Sequence, residues 1–327
     1  MQNRQSAKIK KLRANNIFMQ ISENSEIAHC ISYNHNDKVI GLSISHGILF
    51  TCTAHYIYAW LDRESTLLSI FKIPQVFLPS DSLAIDTLIA CKSKSGWEQL
   101  LSLLGKEHTP VYIFTPKGYF TLSNLRIEQH KQNHFIPHCH TSHGAFAVEN
   151  SKDLCHYGRN KTFIAAIPSD DVCTVIKCLK DSLYLGMESG KILKVEMQCS
   201  RKSGDALSIS SAVEKGVENC TARLVPIYES RMLPILDFQI EPMIVSHFGK
   251  RLHALPLEHK EKEQVLKIYS VHSLFIIFTA SHVLLLNESL HTLCKDRIQG
   301  EGLSHSDRTF ISQDSGVLRE IVIASSD

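Results

Sequence analysis

The densest group of side chains that could do chemistry lies near the middle of the chain. Eight histidines and cysteines occur there: His130, His134, His138, Cys139, His140, His143, Cys155 and His156. If residues 135–141 form a strand, alternation places His138 and His140 on one face, where zinc could bind them with His134 or His143 as a third ligand. No Cys-x2-Cys or His-Glu-x-x-His frame supports a metal. A histidine-rich polar loop is therefore the favoured interpretation, and we predict no metal and no cofactor.

A segment with two glycines and a lysine is the second candidate for chemistry. Gly186, Gly190 and Lys191 are one residue short of the Gly-x4-Gly-Lys spacing of a phosphate-binding loop, and Ile192 stands where that loop has Ser or Thr. The segment also lies between two strand-like runs, whereas a phosphate loop leads into a helix N-terminus. We predict a hairpin turn here.

The elements that would position these residues are almost all short strands. The chain has 327 residues, of which 43% are hydrophobic, so it is folded but too long for one ordinary compact core. Residues 39–73 alternate as four strands with tight turns, including one at His46 and Gly47, which is the pattern of one propeller blade. Similar units recur downstream at a period near 42 residues. The sequence predicts an all-β fold, a β-propeller of about seven four-stranded blades with one short inserted helix.

That helix is expected at residues 97–106, the one segment with clear helical periodicity. Its apolar face consists of Trp97, Leu100, Leu101 and Leu104. Residues 200–216 are polar and read as a long solvated loop. We predict a basic disordered tail over residues 1–16 and a single propeller domain over residues 17–327. Residues 17–21 or residues 27–32 are expected to add the outer strand that the last blade lacks.

One blade carries a family resemblance in its residues. Residues 47–51 and 56–62 resemble the second and third strands of a WD repeat, which ends in a Trp-Asp pair. Here a leucine separates Trp60 from Asp62, and the family's Gly-His pair is missing upstream. The spacing of the units extends the resemblance over most of the chain. The resemblance implies a divergent WD-repeat-like β-propeller and names no particular member.

Charged groups are sparse on the strands expected to line the propeller axis. Those candidate inner strands are residues 40–44, 83–90, 172–178, 235–240 and 265–270, and their only charges are Asp86, Lys177, Asp237 and Lys267. A single charge on a strand is more typical of a hydrogen-bonded structural residue than of a catalytic acid or base. We predict that the protein is not an enzyme. A metal-dependent enzyme that uses residues 134–143 is the least favoured alternative.

Composition limits which partners and which cellular compartment the sequence predicts. No apolar run approaches the roughly 20 residues of a membrane-spanning helix, so we expect no membrane contact. Ten dispersed cysteines without a signal peptide indicate reduced thiols in an intracellular protein, nuclear or cytoplasmic. The net charge is only +2, and five basic residues lie in the first sixteen positions. The alternative function is therefore a nucleic-acid-associated propeller subunit that contacts nucleic acid through this tail.

The favoured function follows from the rigidity and the exposed surfaces expected of a propeller, because the sequence shows no catalytic group. A closed ring carries variable loops on its rims, and its blade edges are free to meet partners. We predict a non-enzymatic scaffold for protein–protein interactions that is a subunit of a multi-protein complex. The expected partner contacts are Trp97, Leu100, Leu101 and Leu104, with the loop at residues 200–216 as a second contact region.

Overall fold

The structure is a computed structural model, and it describes about two thirds of the chain. The described residues are 29–73, 82–84, 88–91, 110–116, 118–123, 126–131, 136–141, 144–199, 207–214, 216, 220–230, 234–240, 243–247, 253–254, 264–271, 274–287, 289, 292–297, 300–305 and 308–322. The expected basic tail, the alternative closing strand at residues 17–21, the predicted helix at residues 97–106, and residues Asp86, His134 and His143 all lie outside this part of the chain.

The described residues form antiparallel sheets arranged as a β-propeller, so the prediction of an all-β propeller is confirmed, while the predicted number of blades is not. There are seven sheets, numbered here by the chain order of their inner strands. The first sheet consists of β2 (Gly41–Ser45), β3 (Ile48–Cys52), β4 (Tyr56–Leu61), β5 (Thr66–Lys72) and β7 (Leu88–Cys91). The second consists of β8 (Val111–Thr115), β9 (Gly118–Ser123), β10 (Arg126–Lys131) and β6 (Ser82–Ala84). The third consists of β11 (His138–Thr141), β12 (Gly144–Glu149), β13 (Asp153–Tyr157) and β14 (Lys161–Ala166).

The remaining sheets follow the same plan. The fourth consists of β15 (Cys173–Leu179), β16 (Ser182–Met187), β17 (Lys191–Cys199) and β18 (Cys220–Glu229). The fifth has only β19 (Ile235–Gln239), β20 (Ile244–His247) and β21 (His253–Ala254). The sixth consists of β22 (Val265–Val271), β23 (Leu274–Thr279), β24 (His282–Leu286) and β25 (Thr292–Arg297). The seventh consists of β26 (Glu301–His305), β27 (Arg308–Ser312), β28 (Val317–Val322) and β1 (His29–Asn34).

Six sheets therefore form complete blades of at least four strands, rather than about seven. The fifth sheet falls short because β21 has two residues and residues 255–263 lie outside the described part of the chain. Its inner strand β19 nevertheless packs between β15 and β22, so the sheet occupies its own place between the fourth and sixth sheets.

Apolar contacts between neighbouring sheets explain why the sheets form a ring. Each adjacent pair shares a buried cluster, such as Phe50 with Ile113 between the first and second sheets. The last cluster joins the seventh sheet to the first, where Phe310 and Leu318 pack with Leu49 and Trp60. Because every sheet hides its faces against two neighbours, the ring has no free end.

The N-terminal strand closes the seventh sheet. β1 pairs antiparallel with β28, from His29 opposite Val322 to Asn34 opposite Val317. This agrees with the alternative that placed the closing strand at residues 27–32. Tyr33 on β1 is fully buried in the cluster between the seventh and first sheets. The start and the end of the described chain therefore lie in one sheet.

A network of buried hydrogen bonds stabilises the first sheet, which carries the WD-repeat resemblance. The Nε1–H of Trp60 donates to Thr51 Oγ1 at 3.0 Å, and His35 Nε2 lies 2.7 Å from the same hydroxyl. His35 Nδ1 lies 3.1 Å from the carbonyl oxygen of Gly316. The sequence lacks the Gly-His pair of a WD repeat. His35, which directly follows β1 of the seventh sheet, connects that sheet to the first through its contact with Thr51. The Thr51 hydroxyl holds both aromatic partners in the core.

The tight turns match the residues that the sequence offered. His46 and Gly47 both have positive φ, 48° and 75°, which is the geometry of a two-residue hairpin turn between β2 and β3. The segment at Gly186 and Gly190 is also a hairpin, as predicted, because β16 pairs antiparallel with β17. A Cβ on Gly186 would come within 2.8 Å of the Ile235 side chain, so this glycine permits close packing of the fourth and fifth sheets.

Two expectations about elements are wrong. Residues 83–90 are not an inner strand, because β6 pairs with β10 at the outside of the second sheet and β7 adds a fifth strand to the first. The inner strand of the second sheet is β8. Residues 200–216 are not entirely loop, since helix α1 (Ile209–Glu214) lies within them and buries Ile209 and Ala212. α1 is the short helix of the described chain, and it is not at the position that the sequence predicted.

Candidate functional site in the central channel

The inner strands surround a polar cavity at the centre of the ring. It has a volume of about 670 Å³ and is lined mainly by β11, β15, β19, β22 and β26, with Lys180 and Asp181 of the turn after β15, Ser210 of α1 and Thr309 of β27. A second cavity of about 310 Å³ adjoins it and shares His138, Lys267 and Tyr269 as lining residues. This volume is in the range of sites that hold small molecules.

Two of the predicted inner-strand charges form an ion pair. Lys177 Nζ lies 2.8 Å from Asp237 Oδ1, and the Asp237 side chain is fully buried. Asp237 also accepts hydrogen bonds from the backbone N–H groups of Phe238, at 2.9 Å, and Ile268, at 2.7 Å. Lys177 donates in addition to the carbonyl oxygen of Ile268. This carboxylate is saturated by donors, so it joins the fourth, fifth and sixth sheets and is poorly placed to accept a proton from a substrate.

Burial and opposite charge act against each other at this pair. Burial lowers the pKa of Lys177, because desolvation disfavours the charged ammonium group, and the nearby Asp237 carboxylate raises it. Lys267 adds a further lowering contribution to the pKa of Lys177 because it is a second positive charge close by. The pair is therefore neutral as a unit, while Lys267 contributes a positive charge of its own.

Lys267 has no acidic partner within the described part of the chain. It is half-buried on β22 and lines both cavities. Its charge also lowers the pKa of His138. A lysine without a counter-ion beside a polar cavity makes the local potential positive and attracts anions.

The predicted histidine pair lies on the channel wall. The rings of His138 and His140 are 5.8 Å apart, so β11 does place both on one side. His140 stacks on His305 of the seventh sheet at 4.3 Å, and His138 stacks on Phe114 at 4.7 Å. Burial lowers the pKa of His138 to about 4 and that of His305 to about 3. Burial, with His305 nearby, also lowers the pKa of His140 well below its usual value.

These histidines are neutral donors and acceptors at pH 7. Among the residues that the structure describes, no group of three or more His, Cys, Asp or Glu side chains could hold a metal ion. The other described members of the sequence cluster are dispersed, since His130 stacks on Tyr119 and His156 packs on Phe146. The zinc hypothesis therefore finds no ligand set in the described residues.

Two buried polar atoms that line the cavity have no partner. They are His140 Nε2 and Gln239 Oε1, on side chains of residues that are 8% and 7% exposed. An unpaired buried polar atom costs about 1–3 kcal/mol, so such atoms usually mark a site that something else completes. Sequence reasoning missed Gln239 because a single amide on an apolar strand gives no recognisable pattern.

A second surface lies on the outside of the ring. Phe163 on β14 is 58% exposed, and Ile227 on β18 is 38% exposed. These strands are the outer edges of the third and fourth sheets, and they contact each other. Neither strand pairs regularly with its neighbour. The register between β13 and β14 shifts at Ile164, and the register between β17 and β18 shifts at Ile227, so these two residues have no partner in the ladder. We call this surface, formed by the exposed side chains of β14 and β18, the outer edge.

The predicted partner-contact residues lie elsewhere in the chain. Trp97, Leu100, Leu101 and Leu104 lie outside the described residues, so their role remains a prediction. No helix in the described part of the chain has the length and apolar character that crossing a bilayer requires.

Comparison with known proteins found similar solved structures and no similar sequences. No protein-family model and no curated protein sequence matches the chain. Among solved structures, the WD40 domain of Neurospora crassa Pan2 is similar with 9% identity and a TM-score of 0.48, covering 95% of this chain and 98% of that one. YCF48 bound to D1 peptide is similar with 11% identity and a TM-score of 0.49, covering 95% and 100%. The computationally designed protein Ika8 is similar with 8% identity and a TM-score of 0.45, covering 88% and 98%. The chain's own sheets, rather than these similarities, make it a β-propeller.

Proposed function

We propose that this β-propeller is a non-enzymatic scaffold that binds other proteins as a subunit of a multi-protein complex. The observation that carries the proposal is the exposure of Phe163 on the outer edge. A phenylalanine that is more than half exposed on a rigid strand, with a second exposed apolar residue on the adjacent strand, favours contact with another protein.

The form of the outer edge favours docking by side chains over addition of a strand. Pro226 on β18 has no N–H to offer, and the register shift beside it leaves Ile227 unpaired in the ladder. Proline and bulges are devices that prevent edge-to-edge strand pairing. The partner is therefore expected to present an apolar helix face or loop to Phe163 and Ile227.

The rigidity of this strand supports the same role. Lys161 of β14 forms an ion pair with Glu149, and Tyr157 donates a hydrogen bond to the same carboxylate. Glu149 is buried, so these contacts fix the start of the edge strand against the rest of its sheet. A pre-ordered surface loses little conformational entropy when a partner binds.

Three further parts of the proposal come from the sequence. Residues 17–327 form the propeller domain, with residues 1–16 as a separate tail. Trp97, Leu100, Leu101 and Leu104 form a second partner contact. The compartment is intracellular, nuclear or cytoplasmic, and reducing. Six described cysteines support that compartment, since three are buried and none of the six forms a disulfide.

Photo-crosslinking at the edge tests the scaffold function. Phe163 is replaced by p-benzoylphenylalanine in the full chain, and the same residue is placed at Val172 as a control, because Val172 is 38% exposed and lies outside the outer edge. We expect the Phe163 site to give a specific protein adduct in native extract and the Val172 site to give none. A chain that is monomeric in that extract and forms no adduct from the Phe163 site would contradict the proposal.

A further inference from the structure

The strongest unassigned feature of the molecule is the 670 Å³ cavity on the ring axis. Most of its wall consists of the inner strands of the third to seventh sheets, and the turn at Lys180 and Asp181 with Ser210 of α1 completes it. Its polar lining includes one residue from each of three different sheets that the argument uses: Lys267 of β22, Gln239 of β19 and His140 of β11.

The first of these groups supplies charge. Lys177 is neutralised by Asp237, whereas Lys267 has no acidic partner among the described residues. Glu301, which lines the adjoining cavity, is itself bound to Lys38 at 2.9 Å. The charged residues that line the main cavity are three lysines and two aspartates, Lys177, Lys180, Lys267, Asp181 and Asp237, so the lining keeps one net positive charge. An oxyanion beside Lys267 would be held by a charge-assisted hydrogen bond.

The other two groups supply hydrogen bonds that the protein leaves unmade. His140 Nε2 and Gln239 Oε1 are both more than nine-tenths buried and unpartnered. His140 is held by stacking on His305 at 4.3 Å, so its ring cannot readily turn to another partner. Buried polar atoms in a roomy polar cavity are typical of a site whose hydrogen bonds are completed by a bound molecule.

We propose that the central channel binds a small anionic molecule whose carboxylate or phosphate group pairs with Lys267 and whose polar atoms hydrogen-bond to His140 and Gln239. The site is separate from the outer edge, and the inference does not rest on the scaffold function. The cavity has room for a molecule bearing two or more acid groups rather than for a single inorganic ion.

Titration calorimetry of the full chain tests this site with two probes, citrate and pyrophosphate, at constant ionic strength. Glycerol serves as the neutral control. We expect saturable binding of at least one anion and none of glycerol, and the probe that binds more tightly distinguishes a carboxylate ligand from a phosphate ligand. Absence of saturable binding of both anions would overturn the proposal.

Two lysine variants connect the binding to the channel. Lys267→Met should weaken binding about tenfold or more, because it removes a charge-assisted contact. Lys152→Met is the matched control, since Lys152 is exposed on the turn between β12 and β13. Equal affinities of these two variants would also overturn the proposal.

A third variant keeps the test decisive if Lys267→Met does not fold. Gln239→Glu retains the size of the side chain and adds a negative charge to the cavity. It should weaken binding of the same anion about tenfold or more, because like charges repel at short range. Binding of wild-type affinity in a folded Gln239→Glu variant would exclude the channel as the site.

Discussion

Arg308 and Asp62, which are 246 residues apart in the chain, form a two-bond ion pair that joins the first sheet to the seventh. Arg308 Nη1 lies 2.7 Å from Asp62 Oδ2, and Nη2 lies 2.8 Å from Oδ1. The adjacent edge of the guanidinium, which shares Nη2, binds Glu320 through Nε at 2.7 Å and Nη2 at 2.6 Å. These contacts raise the pKa of Arg308 further above its usual value despite its burial. The aspartate that follows Trp60 by two positions therefore belongs to the ring closure.

Loss of this arginine should destabilise the whole ring. We expect Arg308→Met to lower the free energy of unfolding by about 3–5 kcal/mol, because it leaves the buried Glu320 and the partly buried Asp62 without a counter-ion. Chemical denaturation measures the change. Arg126→Met is the control, since Arg126 is exposed on β10, and its effect should be small. Equal midpoints for the two variants would show that the ion pair does not support closure.

Loss of the Thr51 hydroxyl should also destabilise the fold. Thr51→Val keeps the shape of the side chain but removes the partner of both Trp60 Nε1 and His35 Nε2. Two buried polar atoms without a partner should cost about 3 kcal/mol of folding free energy in total. Thr66→Val, at an exposed site on β5, should cost little. Urea denaturation compares the two, and a neutral Thr51→Val would mean that the network is not formed.

Two N-terminal deletions should distinguish the contribution of the closing strand β1 to stability from that of the proposed tail. Deletion of residues 1–34 removes β1, exposes the edge of β28 and takes Tyr33 out of the core. We expect a loss of at least about 3 kcal/mol, which is the scale for losing a buried aromatic side chain. Deletion of residues 1–16 should leave the unfolding curve unchanged, because this segment is the proposed tail outside the propeller domain. A large effect of the shorter deletion would contradict that boundary.

Stability should fall as the solution becomes acidic, because buried histidines must be protonated on unfolding. The pKa of His305 is lowered to about 3 by burial and by Arg308, with Asp62 opposing and His138 adding to the shift, while His140 stacks on its ring. Between its folded pKa and the usual value near 6.5, the unfolded chain binds more protons than the folded chain. The contribution of His305 is therefore complete above about pH 6.5 and is lost as pH falls towards about 3.

Unfolding curves measured between pH 7 and pH 4 check this dependence. We expect His305→Leu to reduce the slope of stability against pH. His55→Gln serves as the control, because His55 is exposed on the turn before β4. Identical slopes for wild type and the His305→Leu variant would show that His305 is not buried in its neutral form.

Sequence reasoning succeeded where local pattern decides the structure. The first blade was predictable because its strands alternate and because His46 and Gly47 suit a two-residue turn. The hairpin at Gly190 was predictable because its spacing fails the phosphate-loop pattern and its flanks are strands. The closing strand was predictable as one of two options because the last blade lacked an outer strand.

Other features depend on contacts that are distant in sequence. Residues 83–90 look like one apolar strand, but in the structure β6 and β7 pair at the outer sides of two different sheets. α1 is too short for helical periodicity to be visible, and it is stabilised by burying Ile209 and Ala212. In the channel, Lys177 and Asp237 were visible as lone charges, but their pairing across neighbouring sheets was not.

The most direct test of the scaffold claim compares partner recovery by two surface variants of the full chain. Phe163→Ser removes the exposed ring from the outer edge, and Val172→Ser removes an exposed apolar side chain elsewhere. Each variant is purified from native extract, and the co-purifying proteins are quantified by mass spectrometry against wild type. The account predicts that Phe163→Ser loses a protein that both wild type and Val172→Ser retain, at unchanged thermal stability. Equal recovery by all three chains would contradict it.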